Sequence, residues 1–281
     1  MSRFTAALAA SLIIVTSACA AINTAPGSKN LPDIAYVQDG TSRQKLDLVI
    51  PPSADKKPLP LIVYIHGGAW LMGTRAFCPF YALTKMGFAV ASVDYRFSTD
   101  AIWPAQIDDC RAAMNYLADH AADLGIDRER VFIIGDSAGG HLALMLGLAN
   151  QKQAPAPSYT VRGIVDYYGP TDLTKLAGPF PGGNPVDKLL GGKVENNLQL
   201  AAAASPVTYV AKNSPPVLVL HGDHDGIVPV SQSYRFADVM AKAGAKCELV
   251  IVPRANHGGM EFQTHPMVQR LTSFLERLKK P

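Results

Sequence analysis

An α/β architecture, a mostly parallel central sheet flanked by helices, is what this 281-residue chain predicts, on three observations. From about residue 32, short β-rich runs alternate with longer segments of helical spacing, the rhythm of parallel strands joined by crossover helices. At least one run, "RVFIIGD", is apolar without interruption, as a strand buried on both faces is. Hydrophobic residues make up 48% and charged residues 17%, enough apolar material for one large core.

The elements follow in order. "MSRFTAALAASLIIVTSACAAINTAP" sets Arg3 before an apolar segment and then small residues, the layout of an export signal over residues 1–20. The apolar stretch is shorter than the ~20 residues a spanning helix needs, so no integral membrane span is expected in the mature form. Ala18-Cys19-Ala20 fits an A-x-A cleavage site, while Thr16-Ser17-Ala18-Cys19 resembles a lipoprotein box that would put a lipid anchor on Cys19. Either route exports the chain to the periplasm, the medium or the bacterial envelope. Residues 21–281 are expected to form a single domain.

"KLDLVI" and "LPLIVYIH" are strands separated by the Pro-rich turn "PPSADKKP", and "FAVASVDYR" is another. "AQIDDCRAAMNYLADHAADLG" carries helical spacing and stops at Gly125. "RVFIIGD" is followed by the helix "AGGHLALMLGLA". "VRGIVDYYG", "PPVLVLHGD" and "KCELVIVP" are strands, with the helix "VSQSYRFADVMAKAG" between the last two and "PMVQRLTSFLERLKK" as the closing helix. The Gly/Pro-rich segment 170–206 has no clear period and is too long for a tight connection, so it is expected as an insertion over the site.

A formal net charge of +3, with no basic run outside "LERLKK", leaves no footprint for nucleic acid. Of four cysteines, Cys19 belongs to the exported segment; Cys78, Cys110 and Cys247 allow at most one disulfide, and free thiols and a Cys78/Cys110 bridge both remain open. Their wide spacing matches no zinc motif.

The chemistry centres on Gly135-Asp136-Ser137-Ala138-Gly139, a G-x-S-x-G pattern at a strand-to-helix junction. Such a turn holds a serine hydroxyl exposed at the sheet's C-terminal edge, before the positive end of a helix. A serine is a poor nucleophile near neutral pH, so it needs a histidine base and an acid that orients the imidazole. Asp225, in the loop after "PPVLVLHGD", is the acid, with Asp223 second; His257 in "PRANHGG" is the base. His141 is expected to be structural, because its chain position is wrong for the base. His221 to Asp225 could be read as a metal cluster, but a tight loop cannot aim those side chains at one ion. "YIHGGAW" follows a strand and faces the elbow, offering the Gly68 or Ala69 amide, with that of Ala138, as oxyanion donors. Trp70, Trp103 and Tyr168 are candidate pocket walls or core residues.

"HGGAW", "GDSAGGHLA", "HGDHDGIVP" and "NHGG" together resemble the α/β-hydrolase superfamily. Within it the chain is similar to carboxylesterases related to bacterial bifunctional feruloyl and acetyl-xylan esterases, with kynurenine formamidase as a cousin. Hormone-sensitive lipase relatives carry HGGG where this chain has Ala69 and Trp70 after two glycines. The resemblance implies an exported serine carboxylesterase, needing no cofactor or metal, that acts on small-molecule or polysaccharide-linked esters, acetyl or feruloyl groups of plant polysaccharide among them. An amide-cleaving formamidase would use the same three residues. A binding protein that has lost catalysis would have no reason to keep them all.

Overall fold

The computed structural model describes residues 23–149, 156–178 and 182–280. Residues 1–20, where an export signal is expected, and with them Cys19, lie outside the described residues. Eight strands form one sheet: β1 (Lys29–Ala35), β2 (Lys45–Ile50), β3 (Leu59–Ile65), β4 (Ala89–Val93), β5 (Ile126–Asp136), β6 (Val161–Tyr167), β7 (Val217–Gly222) and β8 (Cys247–Val252). Their order is β1-β2-β4-β3-β5-β6-β7-β8. The β1/β2 and β2/β4 pairs are antiparallel and all later pairs are parallel.

The parallel strands are buried on both faces because successive side chains point to opposite sides. In β3, Leu61, Val63 and Ile65 pack into one core while Ile62 enters the other. The first core is covered by α1 (Ala105–Asp119), α3 (Ala138–Ala149) and α6 (Ser231–Lys242), and α1 is followed by the single turn α2 (Ala121–Leu124). The second is covered by the 3-10 turn Tyr81–Met86 and by α7 (His265–Lys279), whose Leu271, Phe274 and Leu275 are buried. All twelve residues of α3 are buried, so this helix runs through the core rather than over it. Among the described residues no helix is long and apolar enough to cross a membrane.

One strand goes beyond what the sequence predicts, and one expectation needs amendment. β1 was not legible as a strand: it contains Pro32, lies at the sheet edge and is mostly exposed, so it lacks the apolar alternation that marks a strand. The segment 170–206 is more regular than its composition suggests, with α4 (Pro185–Leu190) and α5 (Leu198–Ala203) among its described residues. Asn184 caps α4 by accepting from the Val186 amide, and Pro185 sits at its first position. The Cys78, Cys110 and Cys247 thiols are free. Burial pushes those of Cys78 and Cys247 up to about 12, which makes both poor nucleophiles.

Candidate active site

β5 ends at Asp136 and α3 begins at Ala138, leaving Ser137 alone to turn the chain. It does so at φ 53, in the left-handed region that a side chain rarely adopts. Two bonds hold it there: its amide donates to Tyr167 O at 2.8 Å, and its carbonyl accepts from the His141 amide at 3.0 Å. The turn is tight enough that a Cβ on Gly139 would stand 2.0 Å from Ile65 O.

The structure brings Ser137, His257 and Asp225 together. Ser137 Oγ–H donates to His257 Nε2 at 2.8 Å, and His257 Nδ1–H donates to Asp225 Oδ2 at 2.7 Å. The tautomer follows from the carboxylate, which accepts only. Asp225 Oδ1 accepts from the amides of Ile227 and Val228 at 2.8 and 2.9 Å. Burial alone would raise the Asp225 carboxyl, but hydrogen bonds from His221 and His257 and from the Ile227 amide outweigh it and hold the group well below the usual carboxylate range. It is therefore a fixed anion under the imidazole. Asp223, the second choice for the acid, is turned away: it pairs with His224 at 2.6 Å and accepts from the Arg254 amide. The side chains of "HGDHD" separate into two pairs, Asp223 with His224 and His221 with Asp225, and among the described residues no group of three or more His, Cys, Asp or Glu could hold a metal ion.

The loop after β3 carries three consecutive positive φ angles, 114 at Gly68, 55 at Ala69 and 57 at Trp70. A Cβ on Gly68 would stand 2.1 Å from Met72 O, so glycine is required there. The Gly67 amide is committed to Asp136 Oδ1 at 3.2 Å, and Tyr64 Oη–H donates to the same oxygen at 2.7 Å. Among the described residues the amides of Gly68, Ala69 and Ala138 have no hydrogen-bond partner. Ser92 Oγ–H donates to Arg75 O at the loop's far end, and the Arg75 guanidinium meets Asp94 and Asp47 at 2.6 and 2.9 Å and also contacts Asp33.

A cavity of about 530 Å³ opens beside Ser137, lined by Ala69, Trp70 and Ala138 on the elbow side and by Leu176, Val186 and Ile227 among others. Segment 170–206 contributes Pro170, Lys175 to Gly178 and Asn184 to Val186, so its described residues wall the cavity. Of the three candidate aromatics only Trp70 lines it. Trp103 is buried against the His141 ring, at 5.6 Å between ring centres, and so belongs to the core. Tyr168 packs its ring edge on His257 at 4.8 Å, bracing the imidazole instead of forming a wall. His141 is structural as expected: Nε2 bonds Ala204 O at 2.7 Å, and burial pulls its pKa down to about 4.

The family model BD-FAE matches residues 46–240, which takes in Ser137, the loop after β3 and Asp225. The chain belongs to the BD-FAE family. A truncated carbohydrate esterase from gut microbiota superposes with a TM-score of 0.81 at 30% identity, covering 89% of this chain and 96% of that one. An acetyl ester-xyloside bifunctional hydrolase from Caldicellulosiruptor lactoaceticus superposes at 0.70 and 26% identity, covering 89% and 94%. The fold is that of the α/β-hydrolases. Esterase LipQ of Mycobacterium tuberculosis is 31% identical over 218 residues, 74% of this chain and 52% of its own. The chain thus spans about half the length of LipQ and of LipC, two of the curated relatives it matches.

His221 approaches Asp225, Asp136 holds the Gly67 amide, and Arg75 and Asp94 brace the far end of that loop, contacts that the motifs did not single out. His221 and Asp136 stand inside motifs already recognised, but nothing in a linear pattern says that His221 bears on Asp225 of its own motif or that Asp136 accepts from Gly67 and Tyr64 of another. Arg75 and Asp94 lie on different elements, and only the fold makes them neighbours.

Proposed function

We propose that this protein is a serine carboxylesterase whose nucleophile is Ser137. The single observation that carries the reading is the unbroken relay from Asp225 through His257 to Ser137 Oγ, ending beside a cavity and three unpaired amides. His257 Nε2 takes the hydroxyl proton as Oγ bonds to the acyl carbon, and the carbonyl oxygen becomes an oxyanion. The Ala138 amide, in a buried residue, and that of half-buried Gly68 or Ala69 are the donors free to receive it. Imidazolium then protonates the departing alkoxide, leaving acyl-Ser137. Water, deprotonated by the same nitrogen, attacks the acyl carbon, and the carboxylic acid leaves as the proton returns to Ser137.

The mostly apolar wall favours an uncharged acyl or alkyl group in the cavity, whose volume is that of an ordinary small-molecule site. Acetyl and feruloyl esters of plant polysaccharide are the substrates we propose, supported by the family and by the names of the superposed carbohydrate esterase and acetyl ester-xyloside hydrolase. Export through residues 1–20 would bring the enzyme to such polymers. The test is a panel of acetyl, butyryl, longer acyl and feruloyl esters beside N-formylkynurenine, with Ser137→Ala as control. Ester turnover abolished in Ser137→Ala is the expected result. Formamide turnover exceeding ester turnover, or activity surviving in Ser137→Ala, overturns the reading.

A further inference from the structure

His221 lies on β7 with no exposed side-chain surface, and both of its ring nitrogens are engaged. Nδ1 is 2.6 Å from Ser233 Oγ. Nε2 is 2.9 Å from Val228 O and 3.1 Å from Asp225 Oδ2, the same oxygen that accepts from His257. Both neighbours of Nε2 are acceptors only, so Nε2 carries the hydrogen and Nδ1 accepts from the Ser233 hydroxyl. We propose that His221, oriented by Ser233, is a positioning residue of the reaction: its single Nε2 hydrogen, shared between Val228 O and Asp225 Oδ2, fixes the charge and direction of the carboxylate oxygen on which His257 turns. The inference rests on the hydrolase reading above.

Oδ1 accepts from two backbone amides and Oδ2 from His257, while the one Nε2 hydrogen of His221, bonded to Val228 O, also faces Oδ2 from 3.1 Å. A buried core histidine would satisfy its nitrogens anywhere; this one does so on the oxygen that orients the base. Its bond to Val228 O also closes loop 225–228 on itself, because the Val228 amide donates to Asp225 Oδ1. That loop supplies the Gly226 to Val228 wall of the cavity.

The sign of the effect on pH follows. A donor at Oδ2 withdraws charge from the carboxylate, so removing it strengthens the hold of Asp225 on a proton at His257. The acidic limb of kcat/KM should move to higher pH. Other groups facing this pair are Asp136 and Tyr168 beside His257, Tyr168 beside Asp225, and Asp166 facing His221 from β6. Asp223 and His224, on the same loop, pair with each other. All are present in every variant below and cancel in the comparison.

The experiment uses the full chain as wild type, His221→Phe, His221→Gln and Ser233→Ala, with kcat and KM for a short acyl ester measured from about pH 5 to 9, across the histidine range. In His221→Phe, kcat should fall about 10- to 100-fold, the range for losing a hydrogen bond to a charged group, with KM little changed and the acidic limb raised. His221→Gln, whose amide can donate toward the same oxygen, should recover most of kcat. Ser233→Ala should fall between the two. The proposal is overturned if His221→Phe keeps kcat within about twofold with the limb unmoved, or if Phe and Gln lose activity alike without a shift. Should His221→Phe fail to fold, Ser233→Ala decides: a raised limb supports the proposal and an unmoved one overturns it. If the wild type hydrolyses no ester and resists a fluorophosphonate, the hydrolase reading fails instead. The low-field His257 Nδ1 proton resonance then still decides, since it should move in His221→Phe and an unmoved signal overturns the proposal.

Discussion

Replacing Gly139 with alanine tests the elbow more sharply than replacing the nucleophile, because it alters geometry and leaves every reacting group in place. The added Cβ would meet Ile65 O at 2.0 Å and His66 O at 2.6 Å. Both are backbone atoms at the end of β3, so no rotamer change relieves the contact, and the first falls roughly 1.4 Å short of ordinary contact, a displacement of the size that costs about 10²-fold in rate when it separates reacting groups. Either α3 moves away from β3 or the chain at Ile65 and His66 moves away from α3. Both motions spread the Ala138 amide from those of Gly68 and Ala69. Overpacking of this kind costs about 1–3 kcal/mol, and more where only backbone can yield; at about 2–4 °C per kcal/mol for a chain near this size, Tm should fall by about 6 °C or more. The assay pairs a thermal melt with kcat on an acetyl ester. Gly125→Ala is the control, since a Cβ there meets nothing within 4 Å and only its φ of +65 opposes the change, so it should lower Tm slightly and leave kcat alone. A Gly139→Ala protein with wild-type kcat would refute the claim that the close approach of these backbones builds the oxyanion site.

Asp225→Asn should lower kcat by about 10³–10⁴ by destroying the acceptor that sets the His257 tautomer, whereas Asp223→Asn, at the exposed end of the loop, should stay within about threefold; equal losses in steady-state assays would reverse the assignment of the acid. Asp166 is buried, which pushes its carboxyl up to about 7 against the coulombic influence of His221 and the Gly169 amide. A raised carboxyl favours the folded state below the unfolded value and loses that contribution as pH rises from about 4 toward 7. Asp166→Asn keeps an oxygen for the Gly169 amide and should flatten the fall of Tm across that window, gaining most at its upper end; a parallel Tm-pH curve would contradict this. Val186→Phe fills part of the cavity and should reduce kcat/KM for feruloyl esters at least about tenfold while acetyl esters change little, and an equal loss on both would show that the acyl group lies elsewhere.

The helices were legible where periodicity and punctuation agreed. The helix read from Ala138 to Ala149 spans the same residues as α3, and Gly125 closes α2 at φ 65, as its place after the apolar spacing required. Boundaries drifted where the chain is both polar and paired. β5 begins at Ile126, not Arg130, because "IDRE" adds to the strand through backbone bonds that composition does not announce. β1 escaped for the same reason, an edge strand needing no buried face.

At the site, residue types with narrow chemical duties showed through: a serine between glycines at a strand-to-helix break, then an acid and a histidine each placed after a later strand. Which of Asp223 and Asp225 faces the imidazole, which of Trp70, Trp103 and Tyr168 meets the cavity, and that His221 leans on the same carboxylate were decided only by tertiary structure. The sequence by itself determined the layered fold and nominated Ser137, His257 and one of two aspartates for the chemistry, since periodicity and turn chemistry act along the chain. Direction is different: a side chain's aim depends on the twist of the sheet and on what packs across it, and those are properties of the whole fold.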